Sequence, residues 1–150
     1  MPESPIQVDF YQLSRDPVEQ VLPAIAGRIL GLGERLLVVA QESDRLDRIS
    51  AGLWAGPPES FLAHGKVGEG AESMQPVLLA TDCVAANGAR HVALADGLWR
   101  EEALEFERAF YFFDAETIEA ARASWRDLAK REGVTPRFWR QEGRKWVQGP

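Results

Sequence analysis

Apolar positions along the chain switch between a period near two and a period near 3.6, which predicts strands alternating with helices. Val8-Asp9-Phe10-Tyr11 reads as a short first strand. Val18, Val21, Leu22, Ile25, Ile29 and Leu32 recur at helical spacing and predict one apolar helix face. Asp16 is expected to cap that helix, with Pro17 in its first position and Glu19 completing a capping box. Pro23 should bend the helix or shift its start, and Gly31 and Gly33 should end it. Arg35 to Ala40 is a continuous apolar strand, of the kind buried on both faces of a parallel sheet. Ser43 or Asp44 should cap a second helix carrying Leu46, Ile49, Leu53 and Trp54, closed by Gly56-Pro57-Pro58.

Residues 56–75 are rich in Gly, Pro and Glu and predict a long irregular loop. Val77–Thr81, His91–Ala95 and Ala109–Phe113 read as three further strands, with a turn at Asn87-Gly88 and a short helix near Glu101–Arg108. Asp114 should cap a last helix reaching about Arg131, with Glu116 and Glu119 near its positive end and Gly133 beyond it. Arg137–Gln141 predicts a final strand, and Lys145-Trp146-Val147 can pair with it across Gly143. The alternation predicts an α/β fold: a single Rossmann-like doubly wound domain over residues 1–150, its mostly parallel central sheet flanked by helices.

Charge sharpens this picture. Residues 1–119 carry 9 Lys/Arg and 20 Asp/Glu, a balance of −11, whereas residues 120–150 carry 8 and 3, a balance of +5. Most of the molecule repels nucleic acid, while its C-terminal fifth attracts anions. The first ten residues have neither a basic start nor an apolar segment, and no apolar run is long enough to span a bilayer, so a cytoplasmic protein without membrane contact is expected. Cys83 is the single cysteine and His64 and His91 stand apart, which argues against disulfide, zinc and thiol chemistry.

A search for catalysis finds little. The turn Leu13-Ser14-Arg15-Asp16-Pro17 has no glycine and places an acid where a phosphate would sit. Gly65-Lys66-Val67-Gly68-Glu69-Gly70 lacks the phosphate-loop order. The acidic pairs Glu101-Glu102 and Glu105-Glu107 fit a solvated face, and no nucleophile elbow or metalloprotease motif occurs. The expectation is a protein with no cofactor and no catalytic residues.

Two surfaces carry more information. On the last helix, Arg122, Arg126 and Lys130 are four apart and form a basic stripe bordered by Trp125. Ile118, Ala121, Trp125 and Leu128 also fit an apolar stripe, so Trp125 can belong to the core with solvated arginines beside it. The alternative is a pocket with an aromatic wall and a guanidinium rim, suited to an apolar side chain beside a carboxylate at the end of an acidic peptide. The second surface is the stretch from Leu53 to Gly65, which gathers Trp54, Phe61, Leu62 and His64 around a Pro-rich bend. Such residues either anchor a partner or pin the loop to the domain.

At these residues the sequence resembles the chi subunit family of bacterial DNA polymerase III. Phe10-Tyr11-Gln12-Leu13, Val18-Glu19-Gln20 and Arg35-Leu36-Leu37-Val38 follow the family order. The most specific segment is Leu53-Trp54, Pro57, Ser60-Phe61-Leu62 and His64, followed by Gly68-Glu69-Gly70, Pro76-Val77, Ala121-Arg122, Trp125-Arg126 and Phe138-Trp139. Ala63 stands where a proline is common in the family, and Trp125 where Tyr is common. The resemblance implies a non-catalytic subunit that joins the clamp loader through the psi subunit and grasps the acidic C-terminal tail of the single-stranded-DNA-binding protein, meeting DNA indirectly. It implies psi contacts at Leu53, Trp54, Phe61, Leu62 and His64, and tail contacts at Arg122, Trp125 and Arg126, to which the basic stripe adds Lys130. The alternative is a module that binds single-stranded nucleic acid directly, stacking bases on Trp139 or Trp146.

Overall fold

Strand pairing explains why the apolar runs carry no polar interruption. In the computed structural model, which describes residues 5–55, 62–142 and 145–149, eight strands form one sheet: β1 (Ile6–Gln12), β2 (Leu36–Val39), β3 (His64–Lys66), β4 (Val77–Ala80), β5 (His91–Leu94), β6 (Arg108–Phe113), β7 (Val134–Glu142) and β8 (Lys145–Gln148). Their spatial order is β3-β4-β2-β5-β6-β1-β7-β8. Every pair is parallel except β7 with β8. This order differs from that of the dinucleotide-binding Rossmann sheet.

Three α-helices, α1 (Val18–Gly31), α2 (Ser43–Trp54) and α3 (Ile118–Leu128), flank the sheet. Leu36, Val38 and Ala40 pack with α1 and α2 in one core cluster, and Leu37 and Val39 pack in a second cluster that includes Ala121 and Leu128 of α3. The period-two alternation of side chains therefore feeds two cores at once. Among the described residues no helix is long and apolar enough to cross a membrane.

The element boundaries correct several expectations. Asp16 does not cap α1; Pro17 holds the N-cap position, and Asp16 Oδ2 accepts a 2.8 Å hydrogen bond from Gln141 Nε2. Helix α2 begins at Ser43 with Glu42 at its N-cap, so Ser43 and Asp44 lie inside it. The short helix after β5 is a 3₁₀ turn over Glu101–Glu105, and α3 ends at Leu128 rather than Arg131. Asp114 does not cap α3, whose N-cap is Thr117; it instead accepts from the backbone N–H of Glu116 and Thr117 at 2.9 and 3.1 Å in the turn before the helix. Part of the expected irregular loop is ordered as β3 and a 3₁₀ turn at Glu72–Met74. Three residues on a sheet edge carry too little periodicity to betray a strand, because β3 exists through pairing with distant β4. Phe61 and the Pro-rich bend before it lie outside the described residues.

Pro23 stays within α1 and offers no N–H to the Glu19 carbonyl four residues earlier. Gly52 of α2 packs onto that carbonyl so closely that an added Cβ would lie 2.2 Å from its oxygen. The pair sets how deeply α2 settles beside α1. At the opposite end of the strands, buried Asn87 donates from Nδ2 to the carbonyls of Leu36 and Gln75 at 3.2 and 3.0 Å, while Gly88 adopts φ +74° to complete the predicted turn.

Candidate functional site

Helix α3 is amphipathic, yet only Ala121 and Leu128 of it are buried. Its apolar face meets the C-terminal ends of β1, β6 and β7 without closing on them. The result is a groove of about 520 Å³. Its floor is aromatic. Trp125 lies edge-on to Phe10 at a ring separation of 5.1 Å and to Phe138 at 6.3 Å, with Phe113 and Ile118 beside them. Trp125 is half-buried, packed on the core along one side and lining the groove along the other. Both readings of its spacing are thus met: the ring braces the core and also presents a wall.

The rim is cationic. Arg122 and Arg126 line the groove from α3, and Gln12 and Arg140 line it from the strands. Arg122 Nη1 pairs with Glu119 at 2.9 Å, both groups well exposed. Arg126 is exposed and makes no salt bridge with a described residue. Arg131, one turn further on, is bound by Glu101 and Asp127. An apolar floor beneath guanidinium groups suits an occupant with an apolar side chain and neighbouring carboxylates. The expected stripe is trimmed at its end: Lys130 is exposed beyond α3 and does not line the groove. Lys130 falls outside the stripe because α3 ends at Leu128, two residues before it.

Sequence reasoning missed the strand half of the groove. Phe138 and Arg140 are two apart on β7, and Phe10 and Gln12 two apart on β1. The parallel register sets Phe10 beside Phe138 and Gln12 beside Arg140. The alternation was visible, but the pairing of strands more than a hundred residues apart was not.

The second candidate surface divides into core and surface. Leu53 and Leu62, expected as psi contacts, are buried in the cluster under α1 and α2 in the free chain. Their apolar side chains pin the segment to the domain. Trp54 is 53% exposed. Its ring lies 4.5 Å from that of His64. Both His64 nitrogens are engaged, Nε2 with Ser50 Oγ at 2.8 Å and Nδ1 with the Leu62 carbonyl at 2.9 Å. Trp54 and His64 therefore form a braced aromatic ledge at the β3 edge.

Other candidate chemistry resolves into structure. Cys83 is buried, and burial pushes its thiol up to about 11, far from a reactive thiolate. In the glycine-containing loop, Lys66 pairs with Asp47, and the amides of Lys66 and Gly68 donate to Glu69 and Glu72. Donors that would cradle a phosphate thus already hold carboxylates. The amides of Arg15 and Asp16 are likewise directed at Gln141 Oε1. Trp139 stacks on Tyr11 and donates to buried Asp9 at 3.1 Å, and Trp146 packs edge-on against the same Tyr11. Both rings are partly buried against the core and tie β7 and β8 to the sheet. Among the described residues no group of three or more His, Cys, Asp or Glu is arranged to hold a metal.

Residues 6–136 match the family described as DNA polymerase III chi subunit, HolC. The chain belongs to the DNA polymerase III chi subunit family. Among curated proteins, the DNA polymerase III subunit chi of Escherichia coli (strain K12) is 35% identical over 78 residues, which cover 47% of this chain and 53% of that relative. The chain thus matches about half the length of the curated relative. The family match includes α3 and reaches Pro136, so Phe138 and Arg140 on the strand side of the groove lie beyond it.

Proposed function

We propose that this chi-family chain is a non-catalytic adaptor of the DNA polymerase III holoenzyme whose α3 groove captures the acidic C-terminal tail of single-stranded-DNA-binding protein. The observation that carries the reading is the combination of an aromatic floor with guanidinium groups on a molecule of net charge −6. A tail that ends in an apolar residue, with acids before it, matches that combination: the side chain enters beside Trp125, and Arg122 and Arg126 take carboxylates. Electrostatic complementarity of this kind adds specificity and speeds encounter, while the buried ring supplies most of the affinity.

On the same reading, the Trp54–His64 ledge, supported by Leu53 and Leu62, meets the psi subunit, and Phe61, which lies outside the described residues, belongs to the same proposed contact. The protein then works by tethering, since joining two weak contacts through one adaptor raises effective concentration without a new chemical step. The chain acts as one cytoplasmic domain, Rossmann-like in carrying helices on both faces of its sheet rather than in strand order. Direct binding of single strands is disfavoured by the engaged Trp139 and Trp146 rings and by the acidic balance of the remainder.

The test is calorimetric titration of the full chain with an acidic peptide ending in a phenyl side chain, as the free acid and as the C-terminal amide. The free acid should bind, and the amide should bind at least about tenfold more weakly, the usual order for losing a charged hydrogen-bonding partner from a partly desolvated site. Equal affinity for the two forms would refute capture of a terminus.

A further inference from the structure

We infer that Arg140 is a third anion-binding arm of the groove, placed on its strand side, with Glu142 as its internal competitor. This rests on the peptide-groove reading above and adds to it a residue that neither the family match nor the helical stripe contains.

Arg140 stands in β7 beside Gln12 of β1, and both line the groove. Arg122 and Arg126 reach the same space from α3. Cations on two sides of one apolar floor address anionic groups on opposite sides of the occupant, which a single helical stripe reaches from one side only. Arg140 is also incompletely paired within the chain. Its Nη2 donates to Glu142 Oε1 at 2.8 Å, while its Nε is buried and has no hydrogen-bond partner among the described residues. Nε and Nη2 form the edge of a guanidinium that takes both oxygens of one carboxylate. Glu142 occupies only half of that edge. Both side chains of the pair are partly exposed, at 40% and 56%. Such pairs are weak and exchange readily. A peptide carboxylate competes with Glu142 at the Nη2 side, and it takes both donors once the side chain turns its buried Nε toward the groove. The occupant is therefore a peptide with at least two carboxylates, one for the helix side and one for the strand side, around an apolar side chain. Glu142 sets a threshold: a ligand with one carboxylate must still share Arg140 with it.

The experiment compares the full chain with the variants Arg140→Gln, Arg140→Lys, Glu142→Gln and Trp125→Ala, titrated with the free-acid peptide carrying two or more acids. Circular dichroism melts verify that each variant is folded. Arg140→Gln should weaken binding by about fivefold, Arg140→Lys should recover only part of it for want of the planar fork, and Glu142→Gln should tighten binding by about two- to threefold. The salt dependence of affinity should also become shallower in Arg140→Gln. If Arg140→Gln and Glu142→Gln both bind like the parent while Trp125→Ala loses binding, the role of Arg140 is overturned and the groove reading stands. If Trp125→Ala also binds like the parent, the groove reading itself fails, and the Arg140 inference fails with it.

Discussion

Helices α1 and α3 lie against opposite faces of one sheet, yet they use their apolar faces differently. Helix α1 buries Val18, Val21, Leu22, Ile25, Ala26 and Ile29 and is sealed further by α2. Helix α3 buries only Ala121 and Leu128, and it leaves Ile118 and Trp125 half covered. Both faces look alike as patterns of apolar residues. What separates them is the partner: α1 meets a helix and a broad run of aliphatic strands, whereas α3 meets the ends of three strands whose aromatic side chains hold it away. A face sealed by packing contributes stability, and a face left ajar and ringed with guanidiniums is a candidate binding site.

The sealed side should break most easily. Gly52→Ala would drive a methyl group into the Glu19 carbonyl of α1 and should cost at least about 2 kcal/mol through forced separation of the helices. Gly27→Ala is the matched control, since its Cβ would meet only Leu62 Cδ2 at an ordinary 3.8 Å, and it should gain about 0.5–1 kcal/mol from helix propensity. Urea unfolding of the two variants measures the difference. Equal destabilisation would mean that the Gly52 contact does not set the α1–α2 packing.

A second pair sharpens the contrast between the faces. Leu22→Ala should lose roughly 2–5 kcal/mol of stability, with little change in peptide affinity for the folded fraction. Trp125→Ala should lose less than the roughly 3–5 kcal/mol of a fully buried aromatic, because the ring is only partly buried and lines the groove, but it should weaken peptide binding by at least about tenfold. Denaturation curves and calorimetry on the same samples separate the two effects. If both variants lost stability alone, α3 would be an ordinary core helix.

Much of this architecture was legible in local pattern. The unbroken run Arg35–Ala40 predicts a strand buried on both faces, and β2 within it sits between β4 and β5 in the parallel part of the sheet. Asn87-Gly88 predicted its turn, and Arg122, Trp125 and Arg126 were singled out from spacing on one helix. The parts that escaped depend on distant pairing. Strand β3 has no periodicity of its own, and the strand side of the groove requires knowing that β7 lies beside β1. Caps misled for a related reason: Asp16 is a fitting cap by type, but Gln141, 125 residues away, engages its carboxylate. Leu53 and Leu62 belong to a segment that marks the family, yet their side chains support the core.

The most direct test of the central claim is the affinity of Arg126→Glu for the free-acid peptide, because Arg126 lines the groove and its replacement breaks no salt bridge among the described residues. Binding weakened at least about tenfold, with an unchanged melting temperature, is the outcome the account predicts. Affinity equal to that of the parent chain would contradict it.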